Sequence, residues 1–205
     1  MTHQQDQALA YLQDTCDVIA KLALAYTPPV ISAQPPERYF EILVSSIIGQ
    51  QLSVKAADTI EARLRQAVDS MTPDGLAGQD LELLRQQGLS YSKANYILGL
   101  AEAFGTGVID PHALEAMDPA EVSAALTALK GIGPWTAEMF LIFGMGHPDI
   151  WSPGDLGLRK AVEAHFGTEQ TSSEVAKRWA PYRSYAALYL WEYVDKGENP
   201  QPDHC

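Results

Sequence analysis

Two short stretches of this 205-residue chain combine residue types that can do chemistry. The first, LKGIGPWTAEMF at 129–140, sets Gly131 and Gly133 around one isoleucine and then places Pro134 and Trp135. Gly131 suits the end of a helix, because glycine reaches left-handed backbone angles at little cost. Pro134 suits the first position of a new helix, where its missing N–H is no loss. Between them, backbone N–H groups lie exposed beside a helix start, a geometry that attracts anions and phosphate above all. The same residues also suit a plain corner between two helices. The second stretch, WSPGDLGLRKA from Trp151, puts Asp155 directly ahead of a helical pattern, where aspartate serves as an N-cap. His147, in a loop beside Pro148, is a rival candidate base, although a histidine so placed is more often a surface residue. The other histidines show no metal-ligand spacing.

The elements that must position these residues read as helical almost throughout. DQALAYLQDTCDVIAKLALAY has apolar residues at helical spacing and stops at Thr27-Pro28-Pro29. YFEILVSSIIGQQ is too apolar for a surface helix and is expected to be buried. SVKAADTIEARLRQAV follows, with Ser53 as N-cap. DLELLRQQG ends at Gly88 and SYSKANYILGLAEAFG at Gly105, both as glycine stops. DPAEVSAALTALK starts from Asp118 with Pro119 just inside and leads into the glycine hairpin. LGLRKAVEAHFG follows Asp155, and SSEVAKRWAPYRSYAALYLWEYV closes the chain with a break near Pro181. No internal repeat and no useful run of strand alternation occurs. The fold class expected is all-α.

Hydrophobic residues make up 46% of the chain and charged residues 20%, enough for a sizeable core. Cys16 and Cys205 stand far apart, too few for an iron–sulfur or four-cysteine zinc site and no disulfide framework. The start, MTHQQDQALAY, does not read as a signal peptide, and no segment reaches membrane-span length. The expectation is a reducing compartment without a membrane: cytoplasmic if bacterial, nuclear if eukaryotic. A net charge of −12 argues against a general nucleic-acid binder. Distribution matters more than the sum, however. Lys55, Lys93, Lys130, Arg159, Lys160 and Arg183 fall at or near loops or helix starts, where the fold can gather them into a local positive rim.

Several segments together resemble the helix-hairpin-helix (HhH-GPD) DNA glycosylase superfamily. LKGIGPWTAEMF resembles its hairpin, followed by a Gly/Pro-rich loop and an aspartate that here is Asp155. FEILVSSIIGQQLSVKAA resembles the family's buried helix and the loop that probes the duplex. GLSYSKANYILGLAEAF and WAPYRSYAALYLW resemble a middle segment and the closing helix. Within the superfamily the match is to the 3-methyladenine DNA glycosylase II branch, from about Phe40 to Trp191. The chain looks like a compact form without that enzyme's N-terminal α/β domain.

The resemblance implies two helical lobes with a DNA-binding cleft between them, residues 36–146 with the hairpin at 129–137, and 1–35 with 147–205. It implies excision of alkylated purines such as 3-methyladenine and 7-methylguanine from double-stranded DNA. No cofactor is implied, and the working unit is expected to be a monomer. Asp155 would stabilise the charge that develops on the sugar and orient or deprotonate the attacking water. Trp135 and Trp191 match positions lining the base pocket, where electron-rich faces hold a cationic base; each tryptophan also suits the core. Where the family often carries a tyrosine and an aromatic, this chain has Met139 and Leu156. Trp135 also stands where the backbone-cleaving branch has its lysine, so no amine is there to form a Schiff base. Gly131, Gly133, Lys130 and Thr136 would hold a phosphate, and hairpin carbonyls would hold a monovalent cation when DNA is bound; no side-chain metal site is implied. Gln51 or Leu52 would fill the gap left by the flipped base. The alternatives are a related glycosylase for an oxidised or mismatched base and a non-catalytic helix-hairpin-helix module.

Overall fold

The computed structural model describes residues 3–28 and 30–196; Pro29 and Cys205, both named above, lie outside them. The helices are α1 (His3–Thr15), α2 (Asp17–Ala25), α3 (Tyr39–Gly49), α4 (Val54–Ala67), α5 (Pro73–Leu76), α6 (Leu81–Gln86) and α7 (Tyr91–Gly105). They continue as α8 (Pro111–Ala116), α9 (Pro119–Thr127), α10 (Pro134–Met139), α11 (Leu156–Phe166), α12 (Ser172–Ala176) and α13 (Arg183–Lys196). No strand occurs among the described residues, and the fold is all-α. The chain divides into two compact units, Met1–Ser32 with Gly146–Cys205, and Ala33–Met145.

In the unit formed by residues 33–145, α3 is the buried rod that its composition predicts. Phe40, Leu43, Val44, Ile47 and Ile48 are each at most 2% exposed, and such side chains contribute about 1.5–3 kcal/mol apiece when fully buried. Phe40 meets Phe104 of α7 edge-on at 5.4 Å, and Tyr39 meets Phe140 at 5.0 Å. Helix starts follow the local capping code. Ser53 accepts from Ala56 N–H, Asp80 from Glu82 N–H and Ser90 from Lys93 N–H. Asp118 and Glu121 form a reciprocal capping box with Pro119 at the first helical position. The acidic stretch QDLELL thus contributes its first carboxylate to a helix start.

Two expectations are corrected. The opening helix is not continuous: the backbone turns extended at Cys16 (φ −152°, ψ 104°). Cys16 N–H still bonds Leu12 carbonyl and its own carbonyl accepts from Ala20 N–H, so the kink redirects the chain while both halves stay hydrogen-bonded. It lets Ala8 and Leu12 on one side and Ile19 and Leu22 on the other all stay at most 5% exposed. The second concerns the end of α7. Thr106 after Gly105 is still right-handed, and the left-handed residue is Gly107 (φ 75°).

In the other unit, α1, α2 and α11 all pack on α13. α13 is apolar on nearly every side, and Tyr185 through Leu190 are all buried, as expected for a central helix. Trp151 and Trp179 meet at a tilt with centroids 5.3 Å apart, and Phe166 lies edge-on against Trp179 at 5.8 Å.

Candidate active site

The glycine hairpin belongs to the unit of residues 33–145. Leu129 N–H bonds Leu126 carbonyl and Ile132 N–H bonds Leu129 carbonyl, which closes α9 and tightens the corner. Gly131 sits at φ +92°, and a Cβ there would collide with the Tyr96 ring of α7. Glycine is therefore required twice over, by the backbone angle and by the close approach. Gly133 is the N-cap residue of α10 with Pro134 next, so no side chain caps this start. α10 runs directly into a wider π turn over Phe140–Gly144, where Met145 N–H reaches Phe140 carbonyl at 3.0 Å. The Phe140 ring lies over Gly144, leaving no room for a Cβ.

Around the hairpin, the sequence candidates separate by exposure. Lys130 is exposed and Trp135 is 39% exposed, whereas Met139 is 9% and Thr136 only 2% exposed. The Thr136 hydroxyl accepts from Gln50 Nε2 at 3.2 Å. Thr136 thus lies on the inside of the corner and ties it to the segment after α3. The loop after α3 is a turn in which Leu52 N–H bonds Gly49 carbonyl at 3.1 Å. Gln51 sits at φ +57°, the only non-glycine residue with positive φ among the described residues. This backbone region disfavours a side chain by roughly 1–3 kcal/mol, and residues held there cluster at functional sites. Gln51 and Leu52 are both exposed.

Two side chains brace that turn. Lys93 Nζ donates to Ile48 carbonyl at 2.8 Å and to Gln50 carbonyl at 2.6 Å. Gln50 Nε2 donates to Gly131 carbonyl at 2.9 Å. Burial lowers the pKa of Lys93. Two of the six cations named for a positive rim are engaged within their own units. Lys93 is turned onto carbonyls, and Arg183 is paired bidentately with Asp149, Nε to Oδ1 at 2.6 Å and Nη2 to Oδ2 at 2.9 Å. Lys55, Lys130, Arg159 and Lys160 remain exposed.

The second unit holds Asp155. It is the N-cap residue of α11, accepting Leu158 N–H at its Oδ1 at 2.8 Å. The same oxygen accepts the indole N–H of Trp191 from α13 at 3.0 Å. Gly157 leaves room for this approach: a Cβ there would sit 3.2 Å from the carboxylate, a tight contact, and 3.4 Å from the Trp191 ring. The loop before Asp155 is pinned to the start of α13. Buried Ser184 donates from Oγ to His147 carbonyl at 2.8 Å and accepts Ile150 N–H at 2.9 Å, while the Arg183–Asp149 pair adds a second clamp. The result is a half-exposed carboxylate held by two N–H donors on a fixed loop. Leu156 beside it is 59% exposed. Burial pushes the pKa of His147 down by disfavouring its charged form, and its Nε2 has no hydrogen-bond partner among the described residues. Sequence reading missed Gly157, Ser184 and Gln50, whose types are ordinary and whose partners lie far along the chain. Among the described residues no helix is long and apolar enough to cross a membrane.

The described residues thus combine an all-α fold, a Gly-x-Gly hairpin between helices and an aspartate capping a later helix. Residues 44–181 match the HhH-GPD superfamily of base excision DNA repair proteins, and the chain belongs to that family. A DNA-3-methyladenine glycosidase structure from Bacillus halodurans is 36% identical with a TM-score of 0.76, covering 90% of this chain and 87% of that one. The 3-methyladenine DNA glycosylase of Schizosaccharomyces pombe, in complex with abasic DNA, is 30% identical with a TM-score of 0.80, covering 91% of this chain and 95% of that one. DNA-3-methyladenine glycosylase 2 of Escherichia coli is 31% identical over 180 residues, 81% of this chain and 60% of its own length.

Proposed function

We propose that this chain is a monofunctional DNA N-glycosylase that removes alkylated purines of the 3-methyladenine and 7-methylguanine type from duplex DNA. It leaves an abasic site and does not cut the backbone. The observation that carries this reading is the Asp155 carboxylate, fixed by Leu158 N–H and the Trp191 indole N–H. In the reaction the bond from the sugar C1′ to the base breaks and its electron pair leaves with the base. A cationic alkylated purine departs neutral, so little leaving-group activation is needed. The carboxylate faces the positive charge that grows on the sugar, and takes the proton of the water whose oxygen bonds C1′. The hold on Asp155 means that it need not reorganise as that charge develops.

Other residues take supporting roles. Trp135 offers an indole face to a cationic base, an attraction of about 0.5–2 kcal/mol, and as a tryptophan supplies no amine for Schiff-base chemistry. Trp191 orients Asp155 as well as offering its ring, and Leu156 and Met139 contribute apolar surface. Backbone N–H groups at Gly131 and Gly133, with Lys130 exposed beside them, suit a DNA phosphate without reading sequence. Gln51, exposed and held left-handed, is the preferred wedge, with Leu52 behind it. One chain carries all these groups, which suits action as a monomer.

The test is a duplex with a single 7-methylguanine, incubated with the purified protein and split. One half receives hot alkali. Strand breaks only after alkali support monofunctional excision. Breaks without alkali, in a nuclease-free preparation, mean lyase chemistry. No breaks in either half remove the alkylated-purine reading.

A further inference from the structure

Lys93 lies in the first turn of α7 (Tyr91–Gly105), yet its ammonium does not point to solvent. It reaches the far end of α3 and donates to Ile48 carbonyl and Gln50 carbonyl. Carbonyls at a helix C-terminus have no intrahelical partner, and a cation there also meets the negative end of the helix dipole. The next link is Gln50 itself. Its backbone is held by Lys93, and its amide donates to Gly131 carbonyl and the Thr136 hydroxyl on the hairpin. The residue after it is Gln51, exposed and left-handed at φ +57°. A glutamine would leave that backbone region if the turn were free, because the region is unfavourable for it. One lysine and one glutamine thus connect three pieces that lie far apart in sequence: the start of α7, the turn that closes α3, and the hairpin.

We propose that Lys93 is a positioning residue which, through Gln50, locks the 49–53 turn in the conformation that presents Gln51 and ties it rigidly to the hairpin. Docking of the hairpin on a phosphate and entry of the wedge into the duplex then occur as one step. This rests on the glycosylase reading above. Its consequence is specific. The brace matters where a stacked, paired base must be displaced, and matters little where extrusion is already easy, since flipping is least costly for an unpaired base.

The experiment measures single-turnover excision of 7-methylguanine placed opposite cytosine and opposite an abasic analogue. Wild type is compared with Lys93→Met, Lys93→Arg and Gln50→Glu, the last facing the Gly131 carbonyl with an acceptor at unchanged size. Hydrogen exchange at the Leu52 amide is followed in parallel. Loss of hydrogen bonds to a charged donor predicts that Lys93→Met lowers excision opposite cytosine by about tenfold or more, and opposite the abasic analogue by less than about twofold. Gln50→Glu should show the same split, Leu52 exchange should rise in both variants, and Lys93→Arg should recover most of the activity because a guanidinium can reach both carbonyls. Equal losses on the two substrates, or unchanged exchange at Leu52, would overturn the proposal. Should Lys93→Met fail to fold, Gln50→Glu carries the same comparison. Wild type inactive on both duplexes would sink the substrate reading alone, and Leu52 exchange would then decide the brace.

Discussion

Replacing Asp155 by asparagine separates charge from architecture. Oδ1 of Asp155 accepts both Leu158 N–H at 2.8 Å and the Trp191 indole N–H at 3.0 Å. The amide oxygen of asparagine can accept the same two bonds, and asparagine ranks with aspartate as an N-cap. The melting temperature of Asp155→Asn should therefore stay within about 2 °C of wild type. What disappears is the negative charge that, in the proposed reaction, faces the developing oxocarbenium ion. Removing one preorganised electrostatic group of this kind costs about 10²–10³ in rate, or about 2.7–4 kcal/mol. Asp155→Ala gives the contrast. It loses the cap, about 1 kcal/mol, and leaves the Trp191 N–H without this acceptor, about 1 kcal/mol more. At about 2–4 °C per kcal/mol for a chain of this size, it should melt about 4–8 °C lower. The assay is single-turnover release of 7-methylguanine, run beside thermal unfolding and binding to abasic DNA. Asparagine excising within about threefold of wild type would refute the assignment of Asp155 to the chemistry. Asparagine melting as low as alanine would refute the account of its hydrogen bonds.

Further outcomes follow from individual contacts. Gly131→Ala forces a Cβ onto the Tyr96 ring at a left-handed position, and should lower stability by about 2 kcal/mol or more with a matching fall in DNA affinity; a thermal melt and a salt-controlled binding titration check both. Gln51→Gly removes the strain at φ +57° and should unfold no more easily than wild type, with up to about 1 kcal/mol of gain. It should nonetheless lose excision from fully paired duplex about tenfold, and unimpaired excision would remove Gln51 as the wedge. Burial holds the folded-state pKa of both His147 and His165 below the ordinary histidine value of about 6.5. The unfolded chain then binds more protons, so stability is fully present above about pH 6.5 and falls as pH drops through that value towards the lower folded pKa. Melting temperatures at pH 7.5 and 5.5 measure the slope, and Gln in place of both histidines should flatten it.

What could be read in advance was local. Ser53, Asp118 and Asp155 announce helix starts because a cap bonds N–H groups only two or three residues away. Gly131 and Pro134 announce the corner for the same reason, since backbone angles belong to single residues. The kink at Cys16 was not legible, because apolar spacing runs unbroken through it and only packing of the two halves turns the chain there. The link from Trp191 to Asp155 spans 36 residues, that from Lys93 to Ile48 45, and that from Gln50 to Gly131 81. Nothing in the type or spacing of those residues requires them to meet. Lys93 looked like one more surface cation, and its sequence neighbours give no hint that it faces the end of another helix. The sequence by itself determined the all-α class, the helix starts, the glycine corner and the family, because periodicity, capping and left-handed glycines act over a few residues. Only the tertiary structure decided which N–H groups hold the Asp155 carboxylate and which lysine braces the turn, because a hydrogen bond needs its partners within about 3 Å and only the packed chain brings them there.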